Sequence, residues 1–285
     1  MLLADFIRDG AHRLETLYPS PEARGLVLML CTEKLGTTSY THIIEPDTQV
    51  PAGRQAELED DLRRLCAGEP IQYVLGVTEF CGHRFAVGPG VLIPRPETEL
   101  LVADAVRLLR EMDLDRPPRV LDLCTGSGCI AWSVAKEVRD AQVVGVDLSE
   151  TALRYAQNQF PGESGPTFLQ ADVLDTEQDF PYGPFDLIVS NPPYVLERER
   201  AQMRRNVLEH EPALALFVPD DDPLRFYRAV ARWAQRFLRP GGAGVVEINE
   251  LLGPETAAVF NAAGLKNVQT VPDFYKKIRF VRFAA

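Results

Sequence analysis

The sequence predicts an α/β protein whose larger part is a doubly wound, Rossmann-like sheet of seven strands with the last strand antiparallel. Three observations carry this prediction. Strand and helix signals alternate from Pro96 to the C-terminus, a glycine turn joins a strand to a helix near residue 126, and a proline corner follows another strand at Asn191. Ahead of the sheet, helical spacing and then a short alternating run predict a small helical bundle and a β-hairpin.

The first 75 residues have the apolar spacing of helices and almost no strand signal. Apolar residues recur at helical spacing over Phe6–Leu17, Gly25–Leu35 and Arg54–Cys66. Residues 77–88 then alternate around Cys81-Gly82, which predicts a hairpin. The predicted domains are therefore a helical domain at 1–75, a hairpin linker at 76–95 and an α/β domain at 96–285.

The α/β part shows seven short apolar runs separated by helical patterns. Strands are predicted near 119–124, 142–148, 166–171, 185–190, 243–249, 267–271 and 278–284, and helices near 97–112, 129–138, 150–160, 223–238 and 254–263. Only Pro272 to Lys277 separates the last two strands, and this segment is too short for a helical crossover. These two strands are therefore predicted to form an antiparallel hairpin, unlike the end of a plain Rossmann sheet.

The glycine turn predicts a ligand-binding loop. Its residues are Thr125, Gly126, Ser127, Gly128 and Cys129. Glycines let the backbone pass close to a ligand, and the helix that follows offers free N–H groups to an anionic group. Asp147 ends the next strand about 20 residues later, the usual place for the acceptor of a ribose diol. By itself the loop fits NAD binding as well as S-adenosylmethionine binding. With Ala131 in the place of the third glycine, it is a partial match to the dinucleotide-binding motif.

The corner Asn191-Pro192-Pro193-Tyr194 follows a strand, so it lies where open α/β sheets bind ligands. Its two prolines hold the backbone extended and remove two N–H donors. The amide oxygen of Asn191 and the carbonyl of Pro192 can each accept an N–H, while Tyr194 can stack on a flat face. The corner predicts a site for a planar amide or amine that is alkylated on nitrogen; a simple strand-ending turn is the alternative. Hydride transfer has no use for such a site, which favours S-adenosylmethionine.

These motifs resemble known enzymes. The segments 122–128, 146–149 and 190–194 resemble class I S-adenosylmethionine-dependent N-methyltransferases. The segments Gly68–Gly76, Val91–Leu100 and Glu211–Leu216 narrow the resemblance to the peptide chain release factor glutamine methyltransferases, the HemK/PrmC family. The resemblance extends from about Leu65 to the C-terminus.

The resemblance implies N5-methylation of the glutamine in the Gly-Gly-Gln loop of release factors, in the cytoplasm, with S-adenosylmethionine as methyl donor. It assigns Asn191, Pro192 and Tyr194 to catalysis and, together with Pro193, to substrate binding. It assigns Asp172, with Val173, to the adenine of the cofactor, and a strand-end cap is the alternative for Asp172. Asn191 is also expected to touch the cofactor. The helical domain at 1–75 is expected to recognise the protein substrate.

One departure and two further function classes stay open at this point. Cys124 and Cys129 stand where many family members have Gly and Ala, and a sister enzyme that methylates a ribosomal-protein glutamine often has these cysteines. The motif Ile93–Glu99 favours the release-factor branch. A DNA adenine-N6 methyltransferase uses a similar corner on a flipped base, and a non-catalytic module that kept the fold is the third possibility. The intact motifs argue against the module.

Composition excludes several classes of protein. The net charge of −11 does not supply the basic surface that a general nucleic-acid binder needs. Five scattered cysteines without a Cys-x-x-Cys pair predict reduced thiols in the cytoplasm and no metal site. The N-terminus is too short and acidic for a signal peptide, and no apolar run is long enough for a membrane span.

Two charged segments allow two interpretations each, and Glu211-Pro212 resembles a structural motif of the family. Arg95, Glu97 and Glu99 open a predicted helix and have either a structural or a substrate role. The run 197–205 is either a solvated face or a mobile lid that docks a partner. No chemistry follows from Glu211-Pro212.

Overall fold

The computed structural model describes all 285 residues, and their close contacts form two compact units. The first unit comprises Met1–Val77 together with Arg204–His210, a segment from the α/β part of the sequence. The second unit comprises Thr78–Met203 and Glu211–Ala285. None of the helices has both the length and the apolar character required to cross a membrane.

The first unit is helical. Its helices are α1 (Leu3–Leu14), α2 (Ser20–Leu35), α3 (Thr41–Ile44), α4 (Ala52–Cys66) and α5 (Ile71–Leu75). Phe6, Val27 and Leu62 lie in one buried apolar cluster, as the helical spacing predicted. Leu17 was expected on the same face, and this was wrong: α1 ends at Leu14, so Leu17 lies in the turn before Pro19 and is 39% exposed.

The remaining elements follow in chain order. They are β1 (Val77–Phe80), β2 (His83–Ala86), α6 (Thr98–Glu111), β3 (Arg119–Leu123), α7 (Cys129–Glu137), β4 (Gln142–Asp147), α8 (Glu150–Gln157), β5 (Thr167–Gln170), β6 (Phe185–Ser190), β7 (Val195–Leu196), α9 (Arg205–His210, in the first unit), α10 (Ala213–Leu216), β8 (Phe217–Val218), α11 (Arg225–Phe237), β9 (Leu238–Glu247), α12 (Gly253–Ala262), β10 (Lys266–Pro272) and β11 (Ile278–Ala284). Two short 3-10 helices cover Glu197–Gln202 and Glu250–Leu252.

The predicted hairpin is confirmed as β1 and β2. Its two turn residues both have positive φ, 48° at Cys81 and 71° at Gly82, as tight hairpin turns require. The rings of Phe80 and Phe85 meet edge to face across the pair, with centroids 6.1 Å apart.

The seven-stranded sheet has the order β10-β11-β9-β6-β3-β4-β5. Strand β11 runs antiparallel to β9 and β10, and the other pairs are parallel, so the predicted fold class is confirmed. Leu123 of β3 is paired with Val146 of β4 on one side and with Ser190 of β6 on the other. The glycine loop, Asp147 and Asn191 therefore emerge from adjacent strands at one edge of the sheet.

The sheet is buried on both faces by helices. Val120 and Val189 face a cluster that contains Leu101 of α6 and Ile130 of α7. The alternate residues of these strands face the opposite cluster, which contains Trp233 of α11. All six residues of β6 are buried, which explains why this central parallel strand reads as a continuous apolar run. Asn191 thus follows a strand that is buried along its whole length.

Candidate active site

A cleft of about 150 Å³ opens at the carboxyl edge of the sheet. The predicted site residues among those that line it are Gly126, Asp147, Asp172, Val173, Asn191 and Pro193. Thr125, Ser127, Gly128 and Cys129 are buried behind the loop surface, and Pro192 is buried within the corner. The structure therefore brings the predicted cofactor loop and the predicted substrate corner to one cavity, at the place where strand order reverses.

The glycine loop is shaped by hydrogen bonds beneath it. The hydroxyl of Thr125 donates to Asp122 Oδ2 over 2.6 Å, and the Thr125 N–H donates to the carbonyl of Val146 over 2.9 Å. Burial raises the pKa of Asp122 to about 7. Gly128 has φ of +78°, and a Cβ there would lie 2.9 Å from Ala156 Cβ, so this position requires glycine. Gly128 thus packs against α8 inside the protein, whereas Gly126, with φ of +56° and open space at its Cβ position, lines the cleft.

Asp147 is held at the end of β4 by backbone donors. Its Oδ2 accepts the N–H of Gly126 and its Oδ1 accepts the N–H of Ser149, each over 2.8 Å. Burial raises the pKa of Asp147, while these N–H groups act in the opposite direction. A carboxylate has about four acceptor positions, so two N–H bonds leave others free. Asp147 therefore has free acceptor positions where it lines the cleft, and its contact with a ribose diol remains a prediction.

Asp172 and Val173 follow β5 and also line the cleft. Asp172 Oδ1 accepts the N–H of Leu174 over 2.9 Å, so the residue does cap the end of its strand. It also lines the cleft, and its contact with an adenine remains a prediction. The carbonyl of Val173 accepts from Trp233 Nε1 over 3.0 Å, which ties this backbone to α11.

A chain of hydrogen bonds behind the corner orients Asn191. The Thr98 hydroxyl donates to Glu247 Oε2 over 2.7 Å, and Asn191 Nδ2 donates to the same hydroxyl oxygen over 3.2 Å. Because Thr98 gives its single proton to a carboxylate, it can only accept from Asn191, and this sets which end of the amide faces it. The amide oxygen of Asn191 takes no part in this chain of hydrogen bonds, and its contact with a substrate N–H remains a prediction.

Glu247 also holds Tyr194. The Tyr194 hydroxyl donates to Glu247 Oε1 over 2.9 Å, and its backbone carbonyl accepts from Asn249 Nδ2 over 3.2 Å. Burial, together with the Glu247 carboxylate, raises the pKa of Tyr194 well above its usual value, and burial also raises the pKa of Glu247. Tyr194 is therefore a fixed, protonated support for the corner, and its stacking on a substrate remains a prediction.

Sequence reasoning missed Thr98 and Glu247 as site residues. Thr98 lies inside the motif Ile93–Glu99, and Glu247 lies near the end of the strand predicted at 243–249, at the ligand-binding edge. Their positions in the sequence were the features that could have pointed to a role in the site. Their pairing joins residues 149 positions apart, and no local pattern reports it.

The structure gives the charged motifs a structural role. Glu211 is almost fully buried and accepts from the Ile93 N–H over 3.1 Å and from the Arg95 guanidinium over 2.6 Å. Glu99 Oε1 accepts the N–H of Cys81 over 3.0 Å, which ties α6 to the hairpin. These bonds hold the segment that carries Thr98 and give Glu211 a structural role.

The charge run after the corner is folded and anchored. Its residues 197–202 form a 3-10 helix. Glu199 Oε2 accepts from the Leu196 N–H over 2.8 Å and from Asn249 Nδ2 over 2.9 Å. Its use as a lid or docking loop remains a prediction.

Comparison with known proteins finds relatives along the whole chain. A family model of the PrmC N-terminal domain matches residues 5–76, and a model of a methyltransferase domain matches residues 120–210. The release factor glutamine methyltransferase of Bacteroides thetaiotaomicron is 42% identical over 269 residues, which cover 94% of this chain and 95% of that one. The enzyme with the same name from Flavobacterium psychrophilum is 40% identical over 286 residues, with 99% of each chain covered.

A solved structure shows the same fold. It is a 16S rRNA methyltransferase of T. thermophilus in complex with AdoMet and guanosine, with a TM-score of 0.50 and 21% identity. The match covers 73% of this chain and 49% of that one.

Proposed function

The chain belongs to the release factor glutamine methyltransferase family, and we propose that its cleft carries out this reaction: transfer of a methyl group from S-adenosylmethionine to the side-chain amide nitrogen of the glutamine in the Gly-Gly-Gln loop of a peptide chain release factor. The observation that carries the proposal is the oriented amide of Asn191, held by Thr98 at the rim of the cleft that contains Asp147.

The cleft has the groups that S-adenosylmethionine needs. Asp147, with free acceptor positions, suits the ribose diol, and Gly126, with open space at its Cβ position, lets the backbone approach the cofactor. Asp172 and Val173 suit the adenine. When bound, the cofactor supplies an electrophilic methyl group on a sulfonium. These residues offer the cofactor a binding surface where the order of the strands reverses.

The protein promotes the reaction by alignment and electrostatics. A glutamine amide nitrogen is a weak nucleophile because its lone pair is delocalised into the carbonyl. The amide oxygen of Asn191 and the carbonyl of Pro192 accept its two N–H groups, hold it in place and favour pyramidal nitrogen as the bond forms. Glu247 is buried and both its oxygens accept from hydroxyls, so we assign it to holding Thr98 and Tyr194 in place. The proton leaves late, to water.

The direct test of this function is the identity of the methylated residue. The purified enzyme is incubated with labelled S-adenosylmethionine and, separately, with a release factor, ribosomal proteins or DNA. Label on the release-factor glutamine, located by peptide mass spectrometry, supports the proposal. Label on a ribosomal-protein glutamine instead would assign the enzyme to the sister reaction, and label on adenine would overturn protein methylation altogether.

Replacing Thr98 by valine tests the orientation of Asn191. The variant keeps the shape of the side chain but removes the acceptor for Asn191 Nδ2, so the amide can rotate. We expect kcat to fall about 5- to 10-fold, which corresponds to about 1 kcal/mol of lost positioning. The affinity for S-adenosylmethionine should not change. Thr98→Ser, which keeps the hydroxyl, should restore kcat; a Thr98→Val enzyme with full kcat would argue against this role.

The helical first unit is proposed to recognise the protein substrate, because a release factor is large and must be positioned. Deleting residues 1–75 should leave cofactor binding largely intact and lower kcat/KM for the intact release factor by about tenfold or more. Cofactor calorimetry and a thermal unfolding curve control for folding, since the deletion also removes the Glu22 partner of Arg204. An unchanged kcat/KM in a folded truncated enzyme would show that this unit does not recognise the substrate.

A further inference from the structure

The exposed large apolar side chains of the second unit lie at the edge of the sheet that bears the cleft. They are Leu148 (46% exposed), Leu214 (58%), Leu251 (63%), Phe274 (85%) and Tyr275 (81%). Leu148 follows β4 and Leu214 lines the cleft, while Leu251 follows β9, and Phe274 and Tyr275 follow β10. Because β4, β6, β9 and β10 run in the same direction, all of these residues share the edge that carries Asn191.

The turn that displays the two aromatic rings is an ordered one. The Asp273 side chain is almost fully buried, and its Oδ1 accepts the N–H of Tyr275 over 2.8 Å and of Lys277 over 3.0 Å. The Asp273 N–H donates to the Lys277 carbonyl over 2.8 Å, which closes the turn. Lys277 Nζ lies 3.0 Å from Glu250 Oε2, so the turn is joined to the segment that carries Leu251.

The turn lies within reach of a partner that uses the cleft. Three strand spacings, from β6 through β9 and β11 to β10, amount to about 14 Å. A typical protein interface covers about 800 Å² on each partner, which is a disc of roughly 16 Å radius. A protein whose loop enters at Asn191 therefore extends over the β10–β11 turn.

We propose that Phe274, Tyr275 and Leu251 form a docking patch, the hairpin-tip patch, that binds the release factor while its glutamine is in the cleft. The inference rests on the proposed function and adds a substrate-binding surface on the catalytic unit itself. Exposed aromatic rings are typical anchors of protein interfaces. A partner that covers such a patch removes its apolar surface from water, which is favourable. A second copy of the chain that covered this edge would obstruct the cleft, so the substrate protein is the occupant.

The double variant Phe274→Ala/Tyr275→Ala tests the patch. We expect KM for the intact release factor to rise about 30-fold or more, the change that loss of one interface anchor produces. The kcat at saturating release factor and the affinity for S-adenosylmethionine should stay within about twofold, because neither ring lines the cleft. The matched control is Phe274→Tyr/Tyr275→Phe, which keeps both rings and should keep the wild-type KM.

Each other outcome overturns the patch. An unchanged KM, or a fall in kcat without a change in KM, removes its docking role. Conversion of a wild-type dimer into a monomer by the double variant, seen by sedimentation, would assign the patch to a second copy. Absence of release-factor methylation by the wild-type enzyme would overturn the proposed function and the patch together. If the double variant unfolds, a photo-crosslinking amino acid at position 274 replaces it, and failure to crosslink the release factor decides against the proposal.

Discussion

The variant Asn191→Ala is expected to transfer methyl groups about 100 to 1000 times more slowly than the wild-type enzyme in a single turnover. Alanine removes the amide oxygen that accepts one substrate N–H, and loss of one such preorganised group costs about 2.7–4 kcal/mol of transition-state stabilisation. Thr98 keeps its hydrogen bond to Glu247, so the support of the corner stays in place. The measurement is rapid-quench kinetics with labelled cofactor and a glutamine-containing release factor.

Three further measurements test whether Asn191 acts in the chemical step. Cofactor affinity of Asn191→Ala should change much less than the rate, and Asn191→Asp should also be slow although its carboxylate can still accept an N–H. On the substrate side, glutamate in place of the target glutamine removes the nitrogen nucleophile and should abolish transfer. Near-normal rates for Asn191→Ala, or equal labelling of the glutamate substrate, would defeat this account of the corner.

The variant Asp147→Ala is expected to weaken S-adenosylmethionine binding by about 1.5–3 kcal/mol, or roughly 10- to 150-fold, because two ribose hydroxyls lose a charged acceptor. Isothermal titration calorimetry of the folded variant measures the change. The N–H groups of Gly126 and Ser149 also lose their partner, so a thermal unfolding curve must accompany the titration.

Asp175→Ala provides a matched comparison for Asp147→Ala. Asp175 is exposed and does not line the cleft. It follows β5, the neighbour of β4, at the same edge of the sheet. Its removal should leave cofactor affinity unchanged. A folded Asp147→Ala protein with wild-type affinity would remove Asp147 from the cofactor site, and equal losses in both variants would point to a general electrostatic effect.

The sequence by itself determined the α/β architecture and the place of the site. Continuous apolar runs predicted the buried parallel strands, and the short segment from Pro272 to Lys277 predicted the final antiparallel pair, as the structure has it. The glycine turn and the Asn191 corner each mark the end of a strand to within a few residues. Parallel strands place those ends at one edge, so the cleft could be located from the sequence alone.

Only the tertiary structure decided how the site residues are held. Thr98 and Glu247 are 149 positions apart, and Arg95 and Glu211 are 116 positions apart, yet each pair is within hydrogen-bonding distance. The same holds for the placing of Arg204–His210 with the helical unit and for the short pair β7 and β8. Periodicity and turn chemistry report only interactions between near neighbours in the chain. Contacts between distant segments arise when packing brings whole helices and strands together, so their partners become visible only in the folded molecule.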